Sequence, residues 1–133
     1  MGIKFFVDEN LGIDLVNGLR LLGRKNIEHL EETFPKGTED EIWLNYIGER
    51  GYVLITKDKG IRKNPKEKQA LQRYKIVAFF LGGSQMGITE ISKQIINAWG
   101  KMEALAQRQK KKGVAGAFIV RPGGRTIEEI PLT

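Results

Sequence analysis

Short apolar runs alternate along this chain with longer stretches of helical periodicity. Residues 3–7 read as a buried strand. Leu11, Leu15, Val16, Leu19 and Leu22 then follow helical spacing up to Gly23. Residues 27–30 suit a short second strand. A helix is expected over residues 38–50, with Ile42, Trp43, Tyr46 and Ile47 on its apolar side and Gly51 closing it. Residues 52–56, rich in β-branched side chains, read as a strand. Asn64-Pro65 opens a helix to about Tyr74, with Pro in the first helical position. Residues 76–81 form the next strand. Ile88, Ile91, Ile95, Trp99, Met102 and Leu105 mark a long amphipathic helix. Residues 108–112 read as a polar, basic connector. Residues 117–121, the turn Pro122-Gly123-Gly124 and residues 125–130 then suggest a terminal hairpin.

Strands alternating with helices predict an α/β fold, a three-layer α/β/α sandwich with a mostly parallel central sheet. Right-handed crossovers bring the carboxyl ends of such strands to one edge, where ligands bind. The pattern implies a single domain over residues 1–133. The region 100–133, with its basic connector and hairpin over 108–133, either extends the sheet or serves as an arm on a partner.

With 133 residues, 41% of them hydrophobic and 29% charged, the chain can build one core and is unlike a disordered sequence. No apolar run reaches signal-peptide or membrane-spanning length, so a cytoplasmic protein is expected. Cysteine is absent and His29 is the single histidine, which excludes thiolate and multi-histidine metal sites. Any bound metal would be held by oxygen. The formal charge of +6 is uneven: residues 1–60 carry 8 Lys+Arg against 11 Asp+Glu, and residues 61–133 carry 14 against 5. The basic half suits a phosphate backbone, although a solvated basic surface would read the same way.

Asp8 follows the first strand in Phe6-Val7-Asp8-Glu9-Asn10, and Asp58 follows the third in Thr56-Lys57-Asp58-Lys59. If those strands are neighbours, both carboxylates face one crevice, and like charges so placed favour an intervening cation. Oxygen ligands point to Mg2+ or Mn2+. Taken singly, Asp8 and Asn10 could cap the first helix and Asp58 could serve a turn with Lys59-Gly60. Thr38-Glu39-Asp40-Glu41 fits a capping box, which occupies Glu41 and leaves Asp40 free. Glu67, three residues after Asn64, has a similar capping alternative.

In their order, Val7-Asp8-Glu9-Asn10, Asp40-Glu41-Ile42-Trp43 and Thr56-Lys57-Asp58-Lys59 resemble the PIN-like domain nucleases, particularly the VapC toxin branch. Ile61, Pro65 and Glu67 fit the same branch, and the resemblance covers about residues 3–82. It implies a metal-dependent endoribonuclease that hydrolyses RNA phosphodiesters with metal-activated water. Asp8, Asp40 and Asp58 would hold the metal, Glu67 would join them or bind through water, and Thr56 would orient an acid or a water. Lys57, Lys59, Arg62 and Lys63 would hold the RNA backbone. The resemblance further implies a cognate antitoxin and allows a homodimer. One departure stands out: Leu81-Gly82-Gly83-Ser84-Gln85 lacks the acid common after the fourth strand of PIN domains. Glu67 would replace it, or a single ion would be held tightly.

Two alternatives share these residues. A receiver-like signalling domain would use Asp58 as its phosphoacceptor, and an inactive PIN-like module would bind nucleic acid without cutting it. A plain structural or interaction domain stays open as well. Trp43 and Trp99 read as core or interface aromatics and His29 as a surface or half-buried residue. Gly82-Gly83 reads as a turn, since no Gly-Lys-Ser/Thr follows it.

Overall fold

The computed structural model describes residues 2–58 and 60–132, with Arg62 described by its backbone alone. The elements run β1 (Phe5–Val7), α1 (Ile13–Leu21), β2 (Ile27–His29), α2 (Asp40–Arg50), β3 (Val53–Thr56), α3 (Gly60–Lys63), α4 (Pro65–Arg73), β4 (Val77–Leu81), α5 (Ile88–Lys112), β5 (Gly116–Val120) and β6 (Ile127–Ile130). They form one six-stranded sheet in the order β2-β1-β3-β4-β5-β6. The first five strands are mutually parallel and β6 returns antiparallel to β5. Residues 116–130 therefore extend the sheet.

Strand alternation divides the core into two layers. Phe5, Val7, Val53, Ile55, Phe79 and Phe118 face α1 and α5, where they meet Leu15, Leu19, Ile95 and Trp99. Phe6, Leu54, Ala78 and Phe80 face α2 and α4, where they meet Trp43, Leu44, Ile47 and Leu71. Both faces are covered, which gives the α/β/α sandwich expected from the pattern. Two glycines set close approaches. A Cβ on Gly48 would lie 2.4 Å from Tyr74 Cβ, so glycine lets α2 pack tightly against the end of α4. Gly124, at φ +74, passes so near Gln94 that a Cβ would lie 2.1 Å from its carbonyl oxygen.

Several local expectations are corrected. The Thr38 hydroxyl donates to the Pro35 carbonyl at 2.6 Å and closes a turn, so it caps no helix. Helix α2 begins two residues later, with Glu39 at its N-cap and no side-chain cap bond. Asn10 is not a helix cap either: α1 starts after Gly12. Residues 108–112 are the last turns of α5, not a connector, with Gln109 buried and Gly113 ending the helix in the left-handed conformation. His29 is fully buried, not at the surface. Its Nδ1 accepts the Glu31 amide at 3.0 Å, which leaves Nε2–H to donate to the Leu11 carbonyl at 2.6 Å. This bond ties the loop after Asp8 to strand β2. No helix among the described residues is long and apolar enough to cross a membrane.

Candidate functional site

Strands β1 and β3 pair in register, with Val7 opposite Ile55. The next residue of each, Asp8 and Thr56, therefore stand side by side at the carboxyl edge of the sheet. The Thr56 hydroxyl donates to Asp8 Oδ2 at 2.6 Å, and Thr56 Oγ1 also accepts the Asp58 amide at 3.0 Å. Asp58 Oδ1 accepts the Gly60 amide at 2.8 Å, where α3 begins. The turn reading of Asp58 thus holds for Oδ1, and Oδ2 has no hydrogen-bond partner among the described residues. Asp8 is only 2% exposed. Asn10 steadies it from the following loop, its backbone amide reaching Oδ1 at 3.3 Å and its side-chain amide Oδ2 at 3.4 Å.

Helices α2 and α4 start at the same edge. Asp40 is the first residue of α2, and Glu67 lies in the first turn of α4, which Asn64 caps by accepting the Lys66 amide at 3.1 Å. Both acids line one cleft together with Glu39, Glu41 and Lys66, and the Asp40 charge raises the proton affinity of Glu67. Trp43, one turn on, donates its indole N–H to Asp40 Oδ1 at 3.1 Å while its ring stacks on Phe6. Glu41 pairs with Lys66 at 3.9 Å and Arg73 at 3.4 Å.

The electrostatics join these two pairs. Burial pushes the Asp8 carboxyl up to about 6, against the hydrogen bonds from Thr56 and Asn10, and the Asp58 charge raises it further. Asp40 is raised by burial and then by Asp58, and Glu67 by burial and then by Asp40 and Asp58. Asp58 is the common neighbour in all three. Among the described residues no Lys or Arg forms an ion pair with Asp8, Asp40, Asp58 or Glu67. An oxygen-rich group with no ion-paired cation among the described residues fits a hard divalent cation, which would stabilise the charged carboxylates. Among the described residues, no three His, Asp or Glu side chains already converge as a ligand set. The acids stand as two groups, Asp8–Thr56–Asp58, joined by hydrogen bonds, and Asp40 with Glu67, which share a cleft.

The sequence-derived residues divide accordingly. Asp8, Thr56 and Asp58 come together as expected, and Asp40 and Glu67 share the adjoining cleft. Lys57 and Lys63 are exposed, Lys57 lining a cavity on the α5 side of the edge. Lys59 lies outside the described residues, as does the Arg62 side chain. Asn10 and Trp43 went unassigned as supports of the acids. The signal for each was its spacing, two residues after Asp8 and three after Asp40.

No curated protein and no solved structure matches the chain. A family model described as a PIN like domain matches residues 3–83. That span runs from β1 to just past β4, covers more than half of the chain, and contains all four acids with Thr56 between them. The chain belongs to the PIN like domain family.

Proposed function

We propose that this protein is a metal-dependent endoribonuclease hydrolysing RNA phosphodiester bonds, with Mg2+ or Mn2+ as its cofactor. The observation that carries this reading is the set of mutually repelling carboxylates around Asp58, at the carboxyl edge of a PIN-like sheet. Asp8, Asp40 and Asp58 would hold the ion, with Glu67 beside them. A bound divalent ion supplies an acidified water and stabilises negative charge on the phosphate. Thr56 holds Asp8 and the Asp58 backbone in one arrangement, so the carboxylates need little reordering. Lys57 and Lys63 offer positive charge to the RNA backbone beside the acids.

Within this reading the VapC resemblance supports a toxin held in check by a cognate antitoxin. Expression of the chain alone is expected to arrest growth, and Asp8→Asn to relieve the arrest.

The decisive experiment incubates purified protein with RNA in Mg2+, Mn2+ or chelator, alongside Asp8→Asn and Asp58→Asn. Cleavage that needs the metal and both carboxylates supports the nuclease. RNA binding without metal-dependent cleavage would instead identify an inactive nucleic-acid-binding module.

A further inference from the structure

A second cavity opens at the same edge of the sheet, on the α5 side, beyond the ends of β3 and β4. Its floor is Leu81, Met86 and Ile91, and its rim carries Lys57, Ser84 and Gln85. At about 110 Å3 it has room for one ring system and not for a strand or helix. We propose that this cavity is a base-binding subsite, taking the nucleobase of a nucleotide next to the scissile phosphate. The inference rests on the nuclease reading and names a recognition element within it.

Three observations carry it. First, the cavity adjoins the acids through the chain itself, because Lys57 lies between Thr56 and Asp58. A strand of RNA with its phosphate at the acids would cross the edge at Lys57 and place a neighbouring base over β4. Second, the lining has the chemistry of a base site. The apolar floor accepts a planar face, with the Met86 thioether suited to an aromatic ring. The Gln85 amide and Ser84 hydroxyl offer donors and acceptors to a base edge. Neither side chain, nor that of Lys57, has a hydrogen-bond or ion-pair partner among the described residues. A phosphate would find one cation and an apolar floor, which suits it poorly.

Third, the loop is rigid and locally strained at the residue that would read the base. Gln85 sits at φ 54, a left-handed conformation that glycine adopts freely and glutamine adopts only under strain. The loop's base is pinned by the Gly82 amide donating to the Val120 carbonyl at 2.8 Å. Buried Gln94 adds two bonds, to the carbonyls of Gly82 at 3.0 Å and Val120 at 2.9 Å. A preformed cavity loses little order on binding.

The test measures binding of the full chain, without metal, to labelled hexanucleotides of A, C, G and U by fluorescence anisotropy. Wild type is expected to prefer one base, with strongest and weakest affinities separated by about tenfold. Gln85→Gly relieves the left-handed strain, so it folds, and it should shrink the spread to about threefold or less. Met86→Trp fills the cavity and should weaken the preferred oligonucleotide selectively. Equal binding of all four by wild type, no RNA binding at all, or a ranking that survives both substitutions would overturn the subsite. Base preference without metal-dependent cleavage would refute the nuclease reading and leave the subsite standing. Cleavage without base preference would do the reverse.

Discussion

The Thr56 hydroxyl is shared between two acids: it donates to Asp8 Oδ2 at 2.6 Å and accepts the Asp58 amide at 3.0 Å. One fully buried oxygen thereby couples the end of β1 to the loop after β3. Thr56→Val keeps the shape but removes both bonds, leaving the Asp58 amide unpaired. It is expected to cost about 1–3 kcal/mol of stability and to reduce cleavage. Thr56→Ser retains the oxygen and should retain most activity. Denaturant melts and cleavage rates of the two variants check this. Equal loss in Ser and Val would show that the methyl, not the hydroxyl, matters.

Asp8 makes the metal-free protein sensitive to pH in a specified direction. Burial raises its folded-state value from an ordinary 3.8 to about 6. The folded state therefore holds this proton more tightly than the unfolded state. The associated stability is fully present below about pH 4 and is lost as pH rises through about 6. The loss amounts to roughly 3 kcal/mol by neutral pH. Thermal melts in chelator should show this decline in wild type and a flatter profile in Asp8→Asn. Mg2+ or Mn2+ should raise the wild-type melting temperature more at about pH 7 than at about pH 5, because the ion competes with the proton. A wild-type profile identical to that of Asp8→Asn would disprove the assignment.

The sheet and its acids were legible because strand signals are local. The runs around Phe5 and Leu54 are apolar on both faces, as a doubly covered parallel sheet requires, and Asp8 follows the first directly while Asp58 comes two residues after Thr56 ends the other. Polar residues whose partners are distant in sequence were not legible. His29 reads as a surface or half-buried residue because its Nε2 partner, the Leu11 carbonyl, lies 18 positions away. The end of α5 looked like a connector because Arg108 and Lys110 through Lys112 are polar. Yet the Gln109 amide turns inward to the carbonyls of Val114 and Ala115, which lets the helix continue. Thr38 fitted a capping pattern, but the Pro35 carbonyl offered its hydroxyl a nearer partner.

Trp43 combines packing with a polar task. It is 2% exposed, stacks on Phe6, and donates to Asp40 Oδ1. Trp43→Phe preserves an aromatic ring and removes the donor. A stability loss of about 1–2 kcal/mol is expected from the smaller ring. Because the indole bond favours the charged form of Asp40, its removal should also weaken metal affinity. A titration of cleavage against Mn2+ should shift to higher concentration in the variant. An unshifted titration would confine Trp43 to the core.

Asp40 and Glu41 are adjacent acids with different surroundings, and the structure reverses part of the reason for separating them. The capping box that would have tied Glu41 to the backbone does not form, since Thr38 bonds to Pro35 and the N-cap is Glu39. Glu41 is drawn instead to exposed Lys66 and Arg73. Exposed ion pairs contribute little, so Glu41→Ala should change stability by no more than about 0.5 kcal/mol. Asp40 lies beside Glu67 and Asp58; burial and the charges of Asp58 and Glu9 raise its proton affinity, against the Trp43 bond and the Glu67 contact. Asp40→Asn removes one member of a repelling group, so the metal-free protein should melt at the same temperature or higher. Its metal-dependent cleavage should fall on the order of a hundredfold, as expected when a ligand position is lost. Glu41→Gln should leave both quantities nearly unchanged. Melts in chelator and cleavage rates in Mn2+ for the three variants separate the roles. Loss of cleavage in Glu41→Gln with retention in Asp40→Asn would move the ligand to Glu41 and require α2 to begin differently when metal binds.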